Sequence, residues 1–416
     1  MIEWLGDIPD PRNDKNKKYE LQEILACIVL GYLNGKTKLR RIRRWCKKHL
    51  DDLRKYHPFK NGIPSLATFS RALAIVDEEL ISITITNWIG EIVNIRGKHL
   101  ALDGKGLRAA ANKMSDQRTP YILNALDVAT KLVVGQLAIP EKTNEMTAIP
   151  ELVSMLETEG SLITVDAIGA TERIMNAIHN NGADFLLQVK GNCPELYGEI
   201  KSLFGGLSED REKDAEKFEK EYGEKYSEAK TWEKNRERYE NRHYQAFNDP
   251  DGLGDITEIR PYIRSIGLSE QIRILKVKDK DGNDITPNLA DFLKNGSRKQ
   301  PKPVEGDKLG DDVQKAGLIS SRVLNAKEMM EFKRAHWAVE NSLHYVLDEV
   351  FGEDKSTIRK GKNAASALRK MAYDIIRLIQ FLNPESSPHV PDIIDDITDD
   401  FNMGAKMVFE PIPSQY

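Results

Sequence analysis

The chain has 416 residues, 40% hydrophobic and 30% charged, with a formal net charge of −4. That length supports two to four domains and a sizeable core, and the balance excludes collagenous and wholly disordered classes. Cys27, Cys46 and Cys193 lie too far apart for a disulfide framework or a Cys-x-x-Cys metal site, which points to a reducing compartment. The longest apolar run, Ile24 to Leu33, is about half of a membrane span. The opening MIEWLGDIPDPRND is too acidic and polar for a signal peptide, so a cytoplasmic protein with no membrane association is expected.

Charge is polarised along the chain. Between Lys36 and Lys60 there are eleven Lys or Arg against two Asp, whereas Pro384 to Tyr416 holds seven acidic residues and one Lys. The first hundred residues read as helical: YELQEILACIVLGYL with a stop at Gly35, then KTKLRRIRRWCKKHL, then IPSLATFSRALAIVDEELI opening at Pro64 and Ser65. In the second segment Leu39, Ile42, Trp45 and His49 recur at steps of three or four and form an apolar stripe. Arg40, Arg41, Arg43, Arg44, Lys47 and Lys48 fan around the remainder. Such a face is either solvated or a DNA-contacting surface.

Near Gly97 the period changes. KHLALDG is a short strand, YILNALDVA and KLVVGQLAI form a hairpin, and TNEMTAIPELVSMLE is an amphipathic helix with Pro150 in its first turns. SLITVDA is a buried strand, TERIMNAIHNNG a helix closed by Gly182, DFLLQVKG a fifth strand and PELYGEIKSLF a helix. The order β-β-β-α-β-α-β-α predicts an α/β mixed sheet of RNase H-like type. From Gly205 to Gln245 the charge density suggests an exposed helix or a partly ordered linker. EIRPYIRSIG, QIRILKVKDKDGND and GLISSRV look like strands, and AKEMMEFKRAHWAVENSLHYVLDEVF and NAASALRKMAYDIIRLIQFL like long helices. The acidic DIIDDITDDF reads as a solvated, mobile end, or as a DNA mimic covering a basic surface.

Composition and period divide the chain into a helical part with a candidate DNA-contacting face (1–95), a mixed α/β part (96–204), a charged and then strand-rich part (205–324), a helical part (325–383) and an acidic tail (384–416). Three acidic residues stand out. Asp103 ends the first strand and Asp166 the fourth, where α/β sheets bind ligands, though singly each also suits a turn or a helix cap. Glu340 lies in HWAVENSLHY. Together they form a hard-oxygen set suited to Mg²⁺ or Mn²⁺. His336, Glu340 and His344 also fall on one helical face at steps of four, a competing transition-metal reading. The plainer alternative, preferred for His344, has one His orienting a carboxylate while the other packs.

The segments DIPDPRND, GIPSLATFSR, ALDGKGLR, KTNEMTAIPELV, ITVDAIGA, ADFLLQVKGN, GLISSRV, RAHWAVENSLHYVLDEVFGED and KNAASALRKMAYDII occur in one order nearly end to end. In these the chain resembles the DDE-type transposases of bacterial insertion sequences, in particular the H-repeat-associated group. The resemblance implies an RNase H-like core interrupted before its last catalytic residue, with Asp103, Asp166 and Glu340 holding two Mg²⁺ ions, Mn²⁺ being able to substitute. It implies hydrolysis at the element ends followed by attack of the 3′-OH on target double-stranded DNA, by a homodimer acting on the bacterial nucleoid. Lys190 and Asn192 match the motif after the fifth strand. The wider superfamily carries Tyr, Arg and Lys around the Glu, where this chain has Lys333, His336 and Leu347, so Arg334 or His336 is left to hold a phosphate. An Arg-x-Glu-x-Arg remnant stands at Arg238, Glu240 and Arg242. Arg359 and Lys360, with Lys362, Arg369 and Lys370, are further candidates for the DNA backbone. Two other readings use the same residues: a DNA-binding regulator whose catalysis has decayed, and a metal-dependent nuclease without strand transfer.

Overall fold

The structure, a computed structural model, describes residues 1–107, 121–139, 145–166, 170–191, 193–204, 220, 223–235, 238–248, 262–275, 313–358 and 360–412. Asn192 and Arg359 lie outside the described residues. The chain divides into two compact units, one comprising 1–164, 176–183 and 335–416, the other 165–175 and 184–334.

The first unit opens with helices α1 (Ile2–Gly6), α2 (Leu21–Leu33), α3 (Leu39–Lys48), α4 (Leu50–Leu53), α5 (Leu66–Ile75) and α6 (Glu78–Ile92). Two of them start on side-chain caps. The Thr68 amide donates to Ser65 Oγ, and the Glu79 and Leu80 amides donate to Asp77 Oδ1. Helix α2 is apolar on all sides and is buried along almost its whole length, as a central helix must be. Gly31 lets α3 approach closely, since a Cβ there would sit 2.6 Å from both Ile42 Cγ atoms.

Strands β1 (His99–Gly106), β2 (Tyr121–Asp127), β3 (Val133–Ile139) and β4 (Leu162–Val165) lie in the order β3-β2-β1-β4. The first three are antiparallel, with Asp103 opposite Asn124 and Asn124 opposite Gln136. Strand β4 follows β1 in the same sense: the Leu162 amide donates to the Lys98 carbonyl at 2.9 Å, and Thr164 Oγ1 to that of Leu100. This is the mixed, RNase H-like arrangement that the element order predicts. Strand β1 does not stop at Asp103 but continues to Gly106, because β2 pairs with it as far as Tyr121. Helices α7 (Glu145–Ser154) and α8 (Glu172–Asn180) flank β4 in sequence, and α8 is followed by Gly182 at φ +73°.

Beyond the second unit the chain enters a π-helical turn (Val339–His344), α11 (Tyr345–Glu349), α12 (Lys362–Leu382), α13 (Val390–Asp399) and α14 (Phe401–Phe409), with α10 (Ala326–His336) preceding them. Helix α12 contacts α2, α5, α6 and β3 and is buried on nearly every face. The C-terminal segment is not the solvated end expected from its charge. Helices α13 and α14 dock on α2 through Val390, Ile393, Ile397, Ala405 and Val408, while the acidic residues face outward. The Phe401 ring stacks on Trp45 at 5.8 Å and on His49 at 5.5 Å, covering the apolar stripe of α3.

The second unit contains β5 (Asp184–Val189), α9 (Pro194–Leu203), β6 (Tyr226–Asn235), β7 (Arg238–Phe247), β8 (Ser265–Leu275) and β9 (Val313–Ser320). The strand order is β5-β9-β8-β7-β6, antiparallel throughout. The insertion therefore builds its sheet directly onto β5. The charged stretch read as helix or linker is, over its second half, the β6–β7 hairpin. Its charged groups pair with one another: His243 meets Glu228 and Arg242 meets Glu233 across the ladder, while Lys230 meets Glu228 and Arg242 meets Glu240 along their own strands. Among the described residues no helix is long and apolar enough to cross a membrane.

Candidate active site and nucleic-acid surface

Asp103 sits half-buried on β1, the strand flanked by β2 and β4. Its Oδ2 lies 3.5 Å from His344 Nδ1. Burial, reinforced by the nearby Lys105 and Lys370 cations, pushes the His344 ring down to about 3, so at neutral pH it is uncharged. The contact orients Asp103 without cancelling its negative charge. The next residue must be glycine: a Cβ on Gly104 would fall 2.1 Å from the Tyr121 ring and 2.5 Å from Glu145 Oε1. Tyr121 Oη donates to the Gly104 carbonyl at 3.0 Å. Burial, a hydrogen bond with Glu145 and the charge of Asp103 hold that phenol protonated well above its ordinary range. Tyr121 and Glu145 carry no signal of this position in the sequence, whereas His344 against Asp103 and the buried His336 match the plainer expectation of one His orienting a carboxylate while the other packs.

Glu340 is exposed on the π-helical turn, whose signature is a bond from the Tyr345 amide to the Glu340 carbonyl, five residues back. The extra residue breaks the step-of-four stripe. His336 is buried, with Nδ1 2.9 Å from Thr164 Oγ1, while Glu340 faces solvent and His344 faces Asp103. The three-residue helical metal face does not form, and His336 is not available to a phosphate. Leu347 is fully buried, as its apolar side chain requires.

Asp166, exposed, follows β4 and belongs to the second unit together with Lys190 and Lys333. Burial and the charge of Lys190 lower Lys333 to about 7, with Asp166 acting in the opposite direction. Lys333 Nζ donates to Ser269 Oγ at 2.8 Å and lies over the Tyr244 ring. Arg334 is engaged by Glu233, at 2.6 Å, and so is not an uncommitted phosphate ligand. Glu240 and Arg242 of the Arg-x-Glu-x-Arg remnant form a buried ion pair within the β6–β7–β8 sheet, a structural role. Among the described residues no three His, Cys, Asp or Glu side chains gather into a metal-holding group.

The basic surface is clearer. Arg40, Arg41, Arg44, Lys47 and Lys48 are exposed on α3, whereas Ile42, Trp45 and Cys46 are buried. Arg43 is half-buried, its Nε donating to the Pro64 carbonyl at 2.7 Å. Lys38, Arg40, Arg41, Arg43, Arg44 and Lys47 line an open cleft of about 570 Å³ with no acidic residue. Lys360 is exposed. Arg369 and Lys370 are not surface groups: Arg369 lies over the Tyr32 ring and donates to Ser356, and Lys370 donates to Gln136. Because α12 is packed from several sides, these two cations are internal.

The family model described as "Transposase DDE domain" matches residues 95–374, and one described as "DDE_Tnp_1-associated" matches residues 2–89. The protein named "Putative transposase YncI" from Escherichia coli O157:H7 is 30% identical over 91% of this chain and 87% of its own length. The "H repeat-associated putative transposase YhhI" of E. coli K12 is 29% identical over 90% of each. A cryo-EM structure of a piggyBac transposase synaptic complex with hairpin DNA covers 98% of this chain and 77% of that one. Its TM-score of 0.39 and 9% identity are too low to add to the assignment. The match over two thirds of the chain decides the matter: this protein belongs to the DDE-domain transposase family.

Proposed function

We propose that the protein cleaves phosphodiester bonds at the ends of an insertion sequence and joins the freed 3′-OH to target DNA. The observation that carries this reading is the DDE-domain match across residues 95–374, a span that includes Asp103, Asp166 and Glu340. The donor chemistry fits divalent ions. All three offer hard oxygen ligands, and the ring against Asp103 is neutral, which leaves the carboxylate's charge for a cation. Asp103, Asp166 and Glu340 would hold Mg²⁺ or Mn²⁺, which supplies Lewis acidity and lowers the pKa of a bound nucleophile.

The chain's own groups do the rest. His344 fixes the Asp103 carboxylate, and Tyr121 braces the strand through the Gly104 carbonyl. Lys190 offers positive charge to a phosphate near Asp166, while the buried Lys333, lowered to about 7, is fully charged only below neutral pH. The cleft on α3 binds the DNA backbone through Arg40, Arg41, Arg44, Lys47 and Lys48, with Lys360 as a further contact. Two copies acting on paired ends complete the scheme.

The test is a supercoiled plasmid carrying the gene's native flanks, incubated with the protein and Mg²⁺ or Mn²⁺ beside Asp166→Asn, with new ends and joined products mapped. Cuts at the flanks that vanish in the variant support the reading, and joined products establish transfer. Binding without cuts from folded protein would replace it with a regulator. Cuts that persist in Asp166→Asn would remove that residue from the site.

A further inference from the structure

Asp103 and Lys105 alternate with Gly104 on β1 and therefore share one face of the strand. Along that face the strand meets the π-helical turn. The Lys105 side chain is only 10% exposed, and its ammonium has three partners. Asp348 Oδ1 of α11 lies at 2.6 Å, Glu353 Oε2 at 3.0 Å, and the backbone carbonyl of His344, the last residue of the π turn, at 3.3 Å. Glu353 is itself held, since Ser366 Oγ of α12 donates to its Oε1 at 2.6 Å. Burial would push Glu353 up, but the Lys105, Lys370 and Arg369 cations keep it below the usual carboxylate range. One buried cation thus ties together the strand that carries Asp103, the end of the turn that carries Glu340, and two following segments.

A buried ion cluster of this kind is not an efficient way to gain stability, because well-packed apolar residues of the same volume would do as well or better. What it adds is direction. A π turn contains one residue more than the regular helix allows, so its carbonyls are less fully bonded and its register is easily lost to an ordinary helix. Reverting to the regular ladder would rotate Glu340 by about a quarter turn relative to His344. The ammonium bond to the His344 carbonyl opposes that reversion at the point where the turn ends. His344 meanwhile presents its ring to Asp103.

We propose that Lys105 is a positioning residue: with Asp348 and Glu353 it clamps the π turn, so that Glu340 and His344 keep their places relative to Asp103. The proposal rests on the transposase reading for its consequence in catalysis, but the clamp itself can be tested without it. Full-length wild-type, Lys105→Met, Lys105→Arg and Asp348→Asn proteins are compared by hydrogen exchange over 337–349, with 21–33 of α2 as an internal reference. DNA affinity and cleavage of the flank-bearing plasmid are measured in parallel. Lys105→Met is expected to speed exchange in the turn about tenfold while leaving α2 unchanged. It should lower the cleavage rate at saturating DNA by about tenfold or more, at unaltered DNA affinity. Lys105→Arg, which keeps the charge and the donors, should recover part of both.

Unchanged exchange in 337–349 overturns the clamp, and faster exchange with wild-type cleavage overturns its role in positioning. If Lys105→Met loosens α2 as well, Asp348→Asn decides, since it removes one partner and leaves the ammonium: faster exchange in the turn supports the clamp, and none overturns it. If the wild-type protein itself leaves the flanks uncut, the transposase reading has failed and the exchange comparison still decides whether the clamp exists.

Discussion

Replacing Phe401 by alanine tests whether the acidic C-terminal segment belongs to the helical region of the first unit. The ring lies against Trp45 at 5.8 Å, His49 at 5.5 Å and Tyr56 at 6.3 Å, joining α14 to α3 and to the segment after α4. A fully buried Phe→Ala change costs about 3–5 kcal/mol. Phe401 is half-buried, so roughly 2 kcal/mol is expected, of which about 1 kcal/mol comes from losing the ring stacking beyond area alone. Urea unfolding followed by far-UV circular dichroism would register this as an earlier midpoint at unchanged slope. Trp45 emission should report the same transition, because its stacking partner is gone. Phe401→Tyr keeps the ring and should stay within about 0.5 kcal/mol of wild type. The reasoning fails if Phe401→Ala is also within that margin, for then the docked helices would add nothing to the fold.

Gly31→Ala should destabilise by about 1–3 kcal/mol, because the new methyl meets two carbons of buried Ile42; adding Ile42→Ala should give part of that back, as thermal melts of the pair would show. Glu228 is driven up by burial but more strongly down by His243, Tyr226 and Lys230, to about 2 against an ordinary 4.5. Its contribution is therefore complete above pH 4.5 and is lost as pH falls toward 2. Glu228→Gln should flatten the acid limb of the stability–pH curve, and an unaltered limb would discount the pairing. Asp103→Asn and Glu340→Gln should each lower cleavage by about 10³-fold or more while DNA affinity holds, as gel shifts beside cleavage assays can decide. Substituting Arg41, Arg44 and Lys47 with alanine should reduce the salt slope of DNA binding by about 0.9 for each phosphate that is no longer neutralised, a slope equal to wild type excluding the α3 cleft.

Much of the first unit was legible because its elements obey a single period. The β2–β3 hairpin, the buried β4 and the helices α2, α3 and α5 each show the apolar spacing that their burial demands. The β6–β7 hairpin was not, and the reason is physical. A strand is recognised by apolar residues at its buried positions, yet here two of the buried positions are Glu240 and His243, made tolerable by charged partners on the same and the neighbouring strand. Local composition cannot distinguish charges that face water from charges that face each other. The C-terminal segment fails for the converse reason: its net charge dominated the reading, although Ile393, Ile397 and Val408 at helical spacing were enough to dock it.

The site divides along the same line. Residue types and motif order single out Asp103 and Glu340 as candidates, but do not foretell how their surroundings are arranged. A step of four from His336 to Glu340 to His344 implies one face only if the helix is regular. The Tyr345 amide bonds instead to the Glu340 carbonyl within the π turn Val339–His344, and along this segment His336 is buried, Glu340 is exposed and His344 faces Asp103. What stabilises the displacement is remote in sequence. Lys105 precedes the turn by more than two hundred residues and reaches it only because β1 runs on past Asp103, where Gly104 leaves room for Tyr121 to brace the strand. A π turn carries no composition of its own, and its register here depends on a cation supplied by another element. The catalytic candidates can therefore be read from their own residues, while the geometry that would make them work follows from long-range pairing.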